Sequence, residues 1–186
     1  MEKEKHGSRL SNGLLNSRTV IVCEGINQEM AKKVITQLLV LADESDDDIT
    51  MFVNSQGGHV EAGDTIHDMI QYVKPRVKMI GTGFVASAGT HIFLAADKAD
   101  RFCLPNTRFM IHQPSGGAGG SASDIAIQRD EIIKMRERLA QIISDRTGQP
   151  VDKVRTDIER DTWLTTEESL AYGLISKVVN SKADLT

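Results

Sequence analysis

The sequence predicts an α/β fold of repeated strand–helix units: a parallel sheet covered by helices, with one long helix protruding from it. Three observations carry this expectation. Short apolar runs that end at glycine or proline alternate with longer segments whose apolar residues recur at three- and four-residue steps. Apolar residues make up an ordinary 40% but aromatics only 4%, so the packing is aliphatic and tight. The 186 residues suit one domain with a sizeable core, and no internal repeat or linker divides them.

Residues 1–16 are polar and read as a short, mobile N-terminal segment; 17–186 read as a single domain. TVIVCEG (19–25) is a buried strand ending at a glycine turn. Asn27 is placed to cap the helix that follows, whose Met30, Ala31, Val34, Ile35, Leu38, Leu41 and Ala42 share one face. The acidic run ESDDD (44–48) is a solvated loop, ITMFVN (49–54) a second strand, and SQGGH a tight turn. EAGDTIHDMIQYVK (61–74) is a helix stopped by Pro75. VKMIG (77–81) is a third strand, and GTGFVASAGTH leads into an alanine-rich helix over roughly 87–96. RFCLP (101–105) and FMIHQ (109–113) are further strands, and Cys23 and Cys103 both fall in strands. PSGGAGGSAS (114–123) carries four glycines and no periodicity. The long helix from Asp124 would span about 35 Å at 1.5 Å per residue, enough to protrude or line an interface. VDKVRTDIE is a short helix, Thr165 and Glu168 form a capping box, and LISKVV (174–179) closes as a strand.

Charge and composition narrow the function. A net charge of -4 offers no basic face for nucleic acid. No apolar run approaches the roughly 20 residues of a membrane span. The start MEKEKHGSRLSNG has no apolar segment of a secretory signal. Two isolated cysteines suit a reducing cytoplasm. No histidine spacing resembles a metal-ligand set, so neither metal nor cofactor is expected.

Ser87, at a strand-to-helix junction among small residues, is a candidate nucleophile. It would need a base, a group to orient that base, and donors for an oxyanion. The nucleophile-elbow pattern G-x-S-x-G is half matched, with Gly89 after the serine but Val85 before it. A small residue for close helix packing is the competing reading. Among five histidines, His112 ends an apolar strand, where functional groups of α/β folds gather; His91 lies one helical turn beyond Ser87; His59 sits in the glycine turn. His67 reads as a surface or packing residue. Of 26 acidic residues, Asp161 beside Trp163 is expected to be buried and ordered, though chemistry alone does not select it. SQGGH lacks the spacing of a phosphate-binding loop.

Together these stretches resemble the proteolytic subunit of the ATP-dependent Clp protease. Ala86-Ser87-Ala88-Gly89 matches its A-S-x-G, Met110-Ile111-His112-Gln113-Pro114 its M-I-H-Q-P, and Glu159-Arg160-Asp161 its E-R-D. The likeness runs from about residue 17 to 180. It implies a crotonase-like α/β fold and a serine endopeptidase with Ser87 as nucleophile, His112 as base and Asp161 as orienting acid. The backbone N–H groups of Gly58 and Ala88 would form the oxyanion hole. The region around 114–147 would be the family's handle, with Gly116, Gly117 and Ala118 pairing with extended substrate and Glu159 and Arg160 contacting the facing ring. The implied assembly is two stacked seven-membered rings around a closed chamber, fed unfolded protein by a Clp-type AAA+ ATPase that hydrolyses the ATP.

Some positions depart from the family. Gln56 stands where proline is usual, Ala88 where methionine is common, and the axial N-terminal segment has no match. At two sheet-edge positions that receive apolar loops of the ATPase, Thr50 and Phe52 are present, the first in place of an aromatic. These departures motivate a second reading, a structural or regulatory ring subunit that works with an active paralogue in mixed rings.

Overall fold

The computed structural model describes residues 13–117 and 119–185. Strands β1 (Thr19–Val22), β2 (Ile49–Ser55), β3 (Val77–Ala86), β4 (Arg101–Cys103) and β7 (Lys177–Val178) lie side by side in that order, every pair parallel. Helices α1 (Gln28–Glu44) and α2 (Val60–Tyr72) are the crossovers that parallel neighbours require. Asn27 caps α1 as expected, its Oδ1 accepting from the Met30 N–H at 2.9 Å. β2 alternates buried and half-buried residues, so Ile49, Met51, Val53 and Ser55 face the core while Thr50, Phe52 and Asn54 face outward.

Two further strands, β5 (Arg108–Ile111) and β6 (Thr162–Leu164), branch from this sheet. The branch point is β3. Its first half, Met79–Gly81, pairs with β4; its second half, Phe84–Ala86, pairs with β5. Gly83, at φ +63°, lies between the halves, and the register with β2 shifts there, between Val53 and Ser55. The expectation that the strand stops at Gly81 is thus corrected. It runs on through both glycines because Gly81 clears the Phe109 ring, whose Cζ would stand 3.0 Å from an added Cβ. Cys23 lies just past β1 and is exposed, whereas Cys103 is buried in β4, so only one of the two cysteines is in a strand.

After the short helix α3 (Ala88–Phe93), α4 (Ala122–Thr147) is the long helix foreseen. Ala140, Ile143 and Thr147 bury its C-terminal part in the core, while Ile125, Ile127 and Ile133 remain exposed farther out. Helices α5 (Val151–Asp157) and α6 (Thr166–Tyr172) complete the fold, the latter opened by the Thr165–Glu168 capping box. The closing strand is shorter than LISKVV suggested, because Leu174 and Ile175 turn into the core before pairing begins.

His67 of α2 and His91 of α3 are each only 4% exposed, and their rings stack with centroids 4.3 Å apart. His67 Nδ1 donates to the His91 carbonyl oxygen at 2.9 Å, so its Nε2 is left to accept from Gln71 Nε2, also at 2.9 Å. Burial, and then the neighbouring His91, pull the His67 pKa down from 6.5 to about 4. Between those values the unfolded chain binds more protons than the folded one, so stability from this group is complete above pH 6.5 and drains away as pH falls toward 4. Urea unfolding of the wild type should lose about 3 kcal/mol over that window from this group, and His67→Phe should flatten that part of the profile.

Candidate active site

Three adjacent strand ends bring the predicted residues together. Ala86 of β3 pairs with Met110 of β5, and Ile111 of β5 pairs with Thr162 of β6 in antiparallel register. One step beyond those pairs, His112 comes opposite Asp161 and Ser87 comes beside them. His112 Nε2 lies 2.7 Å from Ser87 Oγ, and His112 Nδ1 lies 3.0 Å from Asp161 Oδ1. The carboxylate can only accept, so Nδ1 carries the proton and the bare Nε2 accepts from the serine hydroxyl. Imidazole in that tautomer can withdraw the serine proton as the oxygen attacks.

Ser87 has φ +57° and ψ -124°, outside the regions open to most L-residues. Strain of about 1–3 kcal/mol is held only where surroundings over-determine the backbone. Here they do. The Ser87 N–H donates to the Met110 carbonyl at 3.0 Å, and its carbonyl accepts from the His91 N–H at 3.1 Å. Thr90 Oγ1, 2.8 Å from the carbonyls of both Val85 and Met110, ties the strand end to β5. Against this turn lies Gly57, at φ +92°, where an added Cβ would stand 2.6 Å from Ser87 Cβ and 2.8 Å from the Ala86 oxygen. Gly57 N–H is in turn held by the Ser55 hydroxyl at 3.1 Å, itself bonded to the Glu24 carbonyl at 2.6 Å.

The Gly58 and Ala88 N–H groups find no hydrogen-bond partner among the described residues. Ala88 opens α3, where helix N–H groups have no intrahelical acceptor. Gly58 sits at φ +153°, and an added Cβ there would stand 2.2 Å from the Ile26 carbonyl oxygen, so only glycine fits. Ser87, Ala88, His91 and His112 line a cavity of about 20 Å³ with Val60, Pro114 and Leu139. A wider cleft of about 450 Å³ adjoins it, bounded by Gly58, Val60, Gly116, Gly117 and residues of α4 such as Ile132 and Met135. Gly116 and Gly117 are exposed on its rim; Ala118 lies outside the described residues.

Asp161 corrects one expectation. Its side chain is 63% exposed, because it precedes β6 at the sheet's outer edge and no other element among the described residues covers it. Glu159 pairs with Arg136 of α4 at 2.7 Å within the same chain, and Arg160 is exposed. His59 is also exposed and pairs with Glu61, apart from the serine. Among the described residues no group of histidine, cysteine and acidic side chains is arranged to hold a metal, and no helix is long and apolar enough to cross a membrane. Sequence reading missed Ser55, Thr90 and Asp64. The first two act through distant backbone carbonyls that no local pattern reveals.

A serine–imidazole–carboxylate line at the strand ends of a forked, mostly parallel sheet is the arrangement that serine-type hydrolases use. Comparison with known proteins makes the class specific. Residues 2–182 match the family model described as "Clp protease". The chain is 59% identical over 179 residues to ATP-dependent Clp protease proteolytic subunit 3 of Rhizobium meliloti, covering 96% of this chain and 92% of the relative. It is 52% identical over 180 residues to proteolytic subunit 2 of Pseudomonas aeruginosa, covering 97% and 90%. Among solved structures, ClpP1 from Listeria monocytogenes superposes with a TM-score of 0.87 at 49% identity, covering 95% of this chain and 99% of that one. The chain belongs to the Clp protease family and is a serine peptidase subunit of it.

Gly57→Ala should be among the most damaging single-methyl changes. The added carbon has no room beside Ser87 and the positive φ disfavours it. Urea unfolding should show a loss of about 2 kcal/mol or more, with peptidase activity falling further than stability.

Proposed function

We propose that this chain cleaves unfolded polypeptides and short peptides through Ser87, His112 and Asp161. The observation that carries the reading is the single imidazole lying within hydrogen-bond reach of both Ser87 Oγ and Asp161 Oδ1. Ser87 Oγ attacks the peptide carbonyl as His112 Nε2 takes its proton. The Gly58 and Ala88 N–H groups receive the oxyanion, and His112 returns the proton to the departing amine. A water activated by the same imidazole then hydrolyses the acyl-enzyme. Asp161 holds the tautomer and stabilises the imidazolium. Substrate lies extended in the cleft beside Gly116 and Gly117, whose backbone groups pair with nothing among the described residues and suit strand-like pairing.

The assembly follows the family. Stacked seven-membered rings enclose the sites, with α4 and the glycine segment as the handle and Glu159 and Arg160 at the ring-to-ring contact. Two features support an assembled state as the active one. The apolar outer part of α4 is exposed, as is Asp161, whose bond to His112 gains strength once a neighbour excludes water from it. On the outward sheet face, Phe52, Ile80, Leu104, Val179 and Leu185 line a cavity of about 280 Å³ suited to an apolar loop of an unfoldase ATPase.

Treatment of the assembled particle with a fluorophosphonate should add one label per chain by intact mass, at Ser87 and absent in Ser87→Ala. Failure to label in the fully assembled homo-oligomer, with labelling only in mixed rings, would favour the regulatory-subunit reading. On a fluorogenic peptide, His112→Ala should cost at least about 10³-fold in kcat, and Asp161→Asn about 10²–10⁴-fold with ring assembly intact.

A further inference from the structure

A second imidazole–carboxylate pair lies behind the first. Asp64 of α2 sits between His91 and the long helix, its Oδ1 2.9 Å from His91 Nε2 and its Oδ2 2.5 Å from Arg138 Nη2 of α4. The carboxylate can only accept, so His91 donates from Nε2. Its Nδ1 is buried and has no partner among the described residues. Leaving a ring nitrogen unpaired in the interior carries a penalty that phenylalanine or leucine would not. Space-filling alone therefore does not account for histidine here; the bond to Asp64 does. His91 also reaches the reacting serine through the backbone, donating its own N–H to the Ser87 carbonyl while its carbonyl is held by His67 Nδ1. Ala88, between them, packs on Gly63, whose added Cβ would stand 3.3 Å from Ala88 Cβ.

We propose that Arg138, Asp64 and His91 form a positioning line that ties the seating of α4 to the geometry of the Ser87 turn. The inference rests on the reading of Ser87 as nucleophile. When α4 is seated, Arg138 satisfies one oxygen of Asp64 and leaves the other to hold His91, and His91 holds the first turn of α3. When α4 shifts, Asp64 turns with the guanidinium or loses it, and the turn that keeps Ser87 at positive φ loses its brace. Arg138 is about half exposed, on the stretch of α4 just before Leu139, which itself lines the small cavity beside Ser87 and His112. None of the three residues touches the reacting atoms; they act through the backbone of the nucleophile.

The test compares Arg138→Met, Arg138→Lys, Asp64→Asn, His91→Phe and the Arg138→Met/His91→Phe double variant with the wild-type particle. Three readouts are followed: the rate of fluorophosphonate acylation of Ser87, kcat and KM on a peptide, and ring assembly with the thermal midpoint. Arg138→Met and His91→Phe should each slow acylation and lower kcat about tenfold, with KM and assembly unchanged. Arg138→Lys should recover most of the loss, and the double variant should be no slower than the worse single one. Should Arg138→Met fail to assemble, Asp64→Asn, which breaks the same line one residue along, carries the comparison. Normal acylation in the single variants, or multiplied losses in the double, would overturn the coupling while leaving Ser87 as nucleophile. So would losses that merely track the thermal midpoint. A wild-type particle that never labels at Ser87 would overturn both readings.

Discussion

The antiparallel pairing of β5 with β6 is the constraint on which the site depends. Every other strand pair in the sheet is parallel, and parallel neighbours place successive strand ends on one edge without bringing one chain segment back toward another. Only the reversed strand β6 delivers residues 160–162 to the end of β5. Register does the rest: Ile111 opposite Thr162 makes His112 the partner of Asp161, whereas a slip by one residue would turn the carboxylate to the other face. The pairing is reinforced outside the ladder. The Gln113 N–H donates to the Ile158 carbonyl at 2.7 Å, its side-chain amide to that of Glu159 at 2.9 Å, and Arg108 stacks over the Trp163 ring at 4.9 Å.

On the other edge of β5, the same logic places the serine. β3 can reach β5 only because it leaves β4 halfway along, and it bends at Gly81 and Gly83, where a side chain would strike Phe109 or crowd Asn54. Backbone strain at Ser87 is then supported from several sides: Met110 and Thr90 from β5 and α3, Gly57 from the turn after β2, and His91 from below. A strained residue braced this widely moves little, which suits the nucleophile role proposed for Ser87, where the oxygen must meet a carbonyl and an imidazole together.

Helix α4 connects these parts. Arg136 binds Glu159, two residues before Asp161, while Arg138 binds Asp64 beneath the serine turn. One helix thus contacts the supports of both Asp161 and Ser87, and its outer half carries exposed isoleucines that another subunit can cover. On the proposed reading, assembly and the alignment of the site would share this element.

The alternation of strands and helices, the Asn27 cap, the Thr165–Glu168 box and the long protruding helix were all legible in the sequence. They depend on local periodicity and on side chains bonding backbone within a few residues. That Ser87, His112 and Asp161 come together was legible through three short motifs that resemble one family, whereas local chemistry left packing and catalysis open for the serine and left many carboxylates as candidates. Only the tertiary structure decided that β3 continues through its glycines, that Asp161 is exposed rather than buried, and that Asp64 and His91 form a second pair behind the first. The first and last turn on contacts between segments 24 to 74 residues apart, such as His91 with His67 or Arg138 with Asp64, and the second on which segments pack over Asp161; no window of sequence contains either.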